Sequence, residues 1–180
     1  MVATVERSAR QRWSTADVGP RHALEYWIDT VCRAFLEIDI ESPEGDNFHA
    51  QLEQSELGPA NLYIVEAATQ TVRRTPQRIA HSRQACYLLM QLRHGEAYFR
   101  QYGRECRVRP GDCVLVDGKH PYKLDCLPTT RSVMVRFPQE WLANWIPAPE
   151  NLAARPFLPT AGWSAALSIA LANLETEDEQ

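Results

Sequence analysis

The stretch QYGRECRVRPGDCVLVDGKHPYKL, residues 101–124, has the pattern of two short strands, each followed by a turn. Gly103 precedes the first apolar-alternating run, Pro110-Gly111-Asp112 separates the two runs, and His120-Pro121 ends the second. Glycine provides backbone freedom at such turns and proline presets φ. Strands this short, joined by tight turns, predict a small antiparallel barrel.

Strand-like runs of the same kind recur from residue 48 to residue 137. A turn signal follows every 8–12 residues for most of this length, and no helical pattern separates the runs. The predicted strands are 48–56, 61–75, 85–93, 96–102, 105–109, 113–117, 122–127 and 131–137. About eight strands without intervening helices exclude a parallel βαβ architecture and predict a mainly β, antiparallel sandwich or barrel.

Helical periodicity flanks this region on both sides. From Arg21 the apolar residues follow helical spacing, and the pattern returns at 139–146 and 163–174. The predicted organisation is a flexible N-terminal arm (1–20), a helix plus barrel (21–138) and a C-terminal helical segment (139–180). The last helix is so apolar that it must pack on the barrel, on another helix or on another subunit.

Composition restricts the possible functions. The net charge is −4, with no excess of basic residues, so DNA binding by this chain itself is not expected. The five cysteines contain no CxxC pair and are interpreted as small buried apolar residues. The N-terminus lacks the apolar core of a secretory signal, and no stretch is long enough to span a bilayer. We expect a cytoplasmic protein without membrane contact.

Histidine spacing decides between a metal site and another kind of pocket. On a strand, two imidazoles one residue apart point the same way and can bind one ion. The five histidines are His22, His49, His81, His94 and His120, and none of them has another histidine two residues later. The sequence therefore predicts no bound metal, no cofactor and no catalytic residues.

Three segments carry a resemblance to a known family. They are YWIDTVCRAF (26–35), VRRTPQRIAHSRQACYLLMQLRHGEAYFRQYGRECRVRPGDCVLVDGKHPYKLDC (72–126) and RSVMVRFPQEWL (131–142). Their ordered motifs resemble the effector-binding and dimerisation domain of AraC/XylS-type transcriptional regulators, in the AraC-binding-like group, over residues 21–175. The resemblance implies a cupin-like, jelly-roll type barrel that binds a small effector, followed by dimerisation helices. It also implies a C-terminal region of two helix-turn-helix units that binds DNA, absent from this chain, so we expect a chain cut to the effector domain.

Candidate ligand contacts follow from strand alternation. In 131–137 the mixed face, Ser132, Met134 and Arg136, suits a pocket wall, and the resemblance implies ligand contacts near Ser132 and Met134. The opposite face is uniformly apolar and suits packing against helices. Both faces of 85–93 are apolar, so its orientation stays open. Its side with polar tips provides the candidates Tyr87, Leu89 and Gln91.

Two arginines and one tyrosine complete the candidate site. Arg74, near a strand end, can clamp a carboxylate with two parallel hydrogen bonds, with Arg78 as a substitute. Tyr122 follows a turn and can close the pocket mouth. Trp27 is interpreted as core. The expected effector is a small organic molecule such as an aromatic or aliphatic acid.

The expected function is effector sensing and homodimerisation, with control of DNA binding by a separate region. The residues predicted to form the dimer interface are Trp163, Leu167, Ala170, Leu171 and Leu174. Two alternatives stay open: a metal-dependent cupin enzyme, either a dioxygenase or an isomerase, and an interaction module whose barrel is filled by its own side chains.

Overall fold

The computed structural model describes residues 10–82, 85–160 and 162–176. Within these ranges the chain forms nine strands and four α-helices. The strands are β1 Gln11–Ser14, β2 Asp39–Glu41, β3 Ala50–Leu57, β4 Ala60–Ala67, β5 Gln70–Arg74, β6 Cys86–Gln101, β7 Arg104–Val108, β8 Cys113–Asp117 and β9 Tyr122–Pro138. The helices are α1 Ala23–Ala34, α2 Pro76–His81, α3 Gln139–Ala143 and α4 Gly162–Thr176.

Two long strands, β6 and β9, form the centre of the sheet. They pair antiparallel along nearly their whole length, from Cys86↔Pro138 to Gln101↔Tyr122. Along the other edge of β9, residues 122–126 pair with β5 and residues 130–136 pair with β4. Along the other edge of β6, residues 87–91 pair with β8 and residues 97–101 pair with β7. The result is a curled, half-barrel sheet of antiparallel strands, which confirms the predicted mainly β, cupin-like fold.

The β6–β9 ladder is interrupted by a bulge. Its register shifts between Leu92 and Glu96, on either side of His94. Gly95 has a φ of +82°, and a Cβ at this position would lie 2.5 Å from the Thr129 carbonyl oxygen of β9. Only glycine permits this approach of the two backbones. Because of the shift, the inward-facing residues of β6 have even numbers before the bulge and odd numbers after it.

The sheet is covered on both faces. Its concave face, which we call the lumen, is closed by the apolar side of α1 in the largest core cluster. Its outer face is covered by α3 and α4, whose leucines pack on Leu62, Val133 and Val135 among others. The lumen therefore lies between α1 and the sheet, and α4 lies on the opposite side.

Several elements differ from the sequence-based expectation. The predicted strand 61–75 turns at residues 68–69 and forms both β4 and β5. Pro76, interpreted only as a strand stop, begins α2, and the Thr75 hydroxyl caps that helix by accepting from the Arg78 amide. Part of the predicted flexible arm is β1, which pairs with β3, whereas residues 1–9 lie outside the described ranges.

No helix within the described ranges is both long and apolar enough to cross a membrane.

Candidate functional site

A cavity of about 60 Å³ lies in the lumen beneath α1. Its roof is formed by Trp27 and Val31 of α1 and by Phe35 at the C-cap, each one helical turn after the other. Its walls are mostly apolar side chains of the sheet: Ile40, Leu52, Val65, Val72, Leu88, Met90, Leu92, Ala97, Phe99, Val116, Leu124 and Met134. An enclosed apolar space with few polar groups is the usual form of a small-molecule site.

The polar groups of the cavity are all uncharged. They belong to Gln70, Thr130, Ser132, Tyr122 and Cys126. Burial raises the pKa of the Cys126 thiol to about 11 and also raises the pKa of the Tyr122 hydroxyl, so both stay neutral at physiological pH. Of the residues that the structure describes, no Asp, Glu, Lys, Arg or His lines this cavity.

One hydrogen bond joins the roof of the cavity to its wall. The Trp27 indole Nε1 donates to Gln70 Oε1 at 3.0 Å, and both residues are buried. Gln70 is directed inward because Gln70, Val72 and Arg74 form the buried face of β5. The Gln70 amide nitrogen can donate two further hydrogen bonds. Gln70 is therefore a buried polar group at the border of α1 and the lumen.

Three of the predicted ligand contacts line this cavity: Tyr122, Ser132 and Met134. The alternation in β9 directs Ser132 and Met134 inward, and Val133 and Val135 belong to the outer cluster under α4. Sequence reasoning oriented this strand as the structure does.

Three other predicted contacts lie on the outer face of the sheet. Tyr87 packs near Leu142 of α3, and Leu89 joins the outer apolar clusters. The Gln91 amide donates to the Gly111 carbonyl oxygen at 3.2 Å and also to the Ser168 hydroxyl of α4. The inward residues of this half of β6 are instead its even-numbered ones, Leu88, Met90 and Leu92. None of the three predicted contacts lines the cavity, because the odd-numbered residues of this half of β6 face outward.

Arg74 faces inward, but its guanidinium group is bound by other groups of the same chain. It is 2% exposed, its Nε donates to the Gly118 carbonyl oxygen at 3.1 Å, and its Nη1 donates to the Glu37 carbonyl oxygen. Nη1 also lies 3.6 Å from the Glu37 carboxylate. Arg78 pairs with Asp39 at 2.7 Å near the surface. Neither arginine lines the cavity, so neither is placed to clamp a carboxylate there.

The backbone at the C-terminal end of α1 is held to the sheet by three side chains. The Tyr63 hydroxyl donates to the Ala34 carbonyl oxygen at 3.1 Å, and Arg136 Nη1 donates to that of Phe35 at 2.7 Å. Arg74 adds the contact to Glu37. Helix ends leave such carbonyls without partners in the helix itself, and cationic donors suit that end. Arg136, predicted as a ligand contact, is thus a helix anchor.

The predicted dimer residues divide between the two sides of α4. Leu171 is 3% exposed and packs with Leu167 and Leu174 against the sheet of its own chain. Trp163 and Ile169 are 92% and 62% exposed, and Ala170 is also exposed. We call the stripe of Trp163, Ala166, Ile169 and Ala170 the outer stripe of α4. The three leucines contact the sheet, since helical spacing places them on the side that faces it.

Within the described ranges, no group of three or more His, Cys, Asp or Glu side chains has a geometry that would bind a metal ion.

Sequence reasoning missed Gln70 and the even-numbered residues of β6. The signal for Gln70 was an uncharged polar side chain that alternates with Val72 on one face of a short strand. For β6 there was no comparable signal, because both of its faces are apolar. Trp27, interpreted as core, is both core and cavity roof.

Comparisons with known proteins agree with this fold. The sequence model described as AraC-binding-like domain matches residues 27–180. The chain is 29% identical over 128 residues to an uncharacterized protein in the nit 5' region of Bacillus sp. (strain OxB-1), covering 71% of this chain and 50% of that protein. It is 30% identical over 122 residues to the transcriptional activator NphR of Rhodococcus sp., covering 67% of this chain and 36% of NphR.

Among solved structures, the AraC-like transcriptional activator CuxR has the same fold, with a TM-score of 0.77 and 19% identity. The match covers 95% of this chain and 60% of CuxR. This chain thus spans half or less of the curated relatives it matches. The family match covers most of its length and includes most of α1, the cavity walls and α4, so the chain belongs to the AraC-binding-like domain family of AraC-type transcriptional regulators.

Proposed function

We propose that this chain is the small-molecule effector-binding and dimerisation domain of an AraC-type transcriptional regulator that acts in the cytoplasm. The observation that carries the proposal is the enclosed apolar cavity between α1 and the sheet. Such a cavity leaves dispersion contacts unmade, and a ligand that supplies them stabilises the ligand-bound arrangement of α1 and the sheet.

The proposed mechanism is a shift of populations. An effector in the lumen contacts α1 and the sheet at once, so it favours one position of α1 over others. DNA binding belongs to a helix-turn-helix region outside this chain, and the effector would change that region's arrangement through the domain and its dimer. This chain has a sensing role and no catalytic one.

Dimerisation is proposed to use the outer stripe of α4. Trp163 and Ile169 are large, apolar and exposed, and the small Ala166 and Ala170 beside them allow a second helix to approach closely. The leucines that face the sheet pack against it within the same chain.

A thermal melt against a broad panel tests the effector site. The panel contains small neutral aromatics, alcohols, organic acids, amines, sugars and divalent metals. A ligand at about 100 times its dissociation constant adds about 2.7 kcal/mol, which raises the Tm of a chain this size by roughly 5–10 °C. A rise with one organic class supports the proposal. A rise with metals alone, or with nothing in the panel, would refute it.

A further inference from the structure

We infer that the lumen selects a small, neutral aromatic molecule, which hydrogen-bonds to Gln70 beneath Trp27. This inference rests on the proposed effector-binding function and names the chemistry of the ligand.

The walls of the cavity exclude ions. The polar atoms that reach it come from amide, hydroxyl, thiol and indole groups. Arg74, the nearest inward-facing charge on β5, is engaged by Gly118 and Glu37. An ionised ligand would lose its hydration and gain no opposite charge, which disfavours it strongly against a neutral molecule of the same shape.

The aromatic preference follows from the ring-rich ends of the cavity. Trp27 and Phe35 contribute rings from α1, and Phe99 and Tyr122 contribute a tilted pair from the sheet, with centroids 5.8 Å apart. A flat ring can make edge-to-face contacts with these side chains, and such contacts add to simple apolar burial.

Gln70 provides the specific polar contact. Its Oε1 accepts from Trp27 and its amide nitrogen has two donors, so it can pair with a ligand that carries both a carbonyl and an N–H or O–H group. A ligand that lacks these groups would leave buried polar atoms of Gln70 unpaired.

Binding must also move α1. A cavity of about 60 Å³ is smaller than the roughly 150 Å³ of a cavity that holds benzene, so an aromatic ring with a substituent does not fit without movement of the walls. The C-terminal end of α1 is held by Tyr63, Arg74 and Arg136, whereas Trp27 is joined to the sheet by its bond to Gln70. The Trp27 half of the helix is therefore the part that a ligand displaces.

The test uses benzamide, benzoate and benzamidine, which share one shape and are neutral, anionic and cationic at pH 7. We expect calorimetry with the wild-type chain to give a benzamide affinity at least tenfold higher than the other two. Gln70→Leu should lower benzamide affinity at least about fivefold, the factor for one neutral hydrogen bond.

Two further variants make the test specific. Gln91→Leu is the matched control, because Gln91 is an equally buried glutamine on the outer face, and it should change benzamide affinity less than twofold. Gln70→Glu places an acid in the lumen and should shift the preference to benzamidine. This gain in benzamidine affinity keeps the inference testable if Gln70→Leu does not fold.

The outcomes separate this inference from the proposed function. Benzoate or benzamidine binding the wild-type chain as tightly as benzamide would overturn the neutral class and leave an effector site in place. Equal effects of Gln70→Leu and Gln91→Leu would overturn the role of Gln70. If none of the three binds, the inference fails, and the proposed function then stands or falls on the broad panel.

Discussion

The two sides of α4 should respond to substitution in opposite ways. Leu171, 3% exposed, packs in the outer cluster with Leu62, Val133 and Val135. Leu→Ala at a buried site removes both apolar burial and packing, at a cost of about 2–5 kcal/mol. Since α4 lies on the surface of the domain and can partly relax, we expect about 3 kcal/mol for Leu171→Ala.

That loss can be measured by urea and thermal unfolding. For a chain of this size, 1 kcal/mol corresponds to about 2–4 °C, so the Tm should fall by roughly 6–12 °C. Below that Tm the protein should remain a dimer by sedimentation equilibrium.

Ile169→Glu is the matched variant on the outer stripe. Ile169 is 62% exposed, so the stability of the monomer should change by no more than about 0.5 kcal/mol. A charge in the proposed dimer interface should instead raise the dimer dissociation constant at least tenfold, which is about 1.4 kcal/mol. The reasoning is refuted if Leu171→Ala gives stable monomers, or if Ile169→Glu leaves the dimer intact.

Three other predictions concern the sheet and its anchors. Gly95→Ala should lower the free energy of unfolding in urea by about 2–4 kcal/mol, because the new Cβ would clash with the Thr129 carbonyl oxygen and φ is positive. Gly103 also has a positive φ but open space around it, so Gly103→Ala should cost only about 1 kcal/mol. Equal costs would contradict the bulge geometry. Burial raises the pKa of Cys126 to about 11 from 9.0, so the stability that its neutral thiol contributes is full below pH 9 and is lost as pH rises through 11. Unfolding at pH 8, 9.5 and 11 should show the free energy of unfolding fall by about 2–3 kcal/mol over this window, and by less in Cys126→Ala. The same pH dependence in both proteins would argue against a buried neutral thiol. Arg74→Met should lower the free energy of unfolding by about 2–4 kcal/mol, because the hydrogen bonds that hold the end of α1 are lost. If stability is unchanged and binding of organic acids is lost, Arg74 would instead be the carboxylate-binding residue predicted from the sequence.

The alternation of β9 was readable from the sequence, whereas that of β6 was not. In residues 131–137 one face is uniformly apolar and the other mixed, so the pocket side could be assigned to Ser132 and Met134. In β6 both faces are apolar, because one lines the lumen and the other lies under α3 and α4. The bulge at Gly95 then shifts which parity points inward, and no local pattern gives the direction of that shift.

The arginines lie outside the cavity lining for a different reason. The position of Arg74 at a strand end was predicted correctly, but Arg74 and Arg136 donate to backbone carbonyls of segments distant in sequence. Arg74 reaches Glu37 and Gly118, and Arg136 reaches Phe35. Which carbonyl remains open at the end of a helix depends on tertiary packing, so a single sequence cannot reveal that these charges are already used.

The faces of α4 show a similar limit. Its helical spacing was evident, and so was its apolar character. Apolar residues occur on more than one side of this helix, however, so the sequence could not tell Leu171, which packs within the chain, from Ile169, which is exposed.

The most direct test of the effector site uses methionine methyl NMR. The chain has three methionines, Met1, Met90 and Met134, and the latter two line the cavity from neighbouring strands, paired directly as Met90↔Met134. With methyl-labelled methionine, a compound that raises the Tm should shift the Met90 and Met134 resonances together. A stabilising compound that leaves both lumen methyl groups unchanged would show that the ligand binds elsewhere, and the lumen would lose its assigned role.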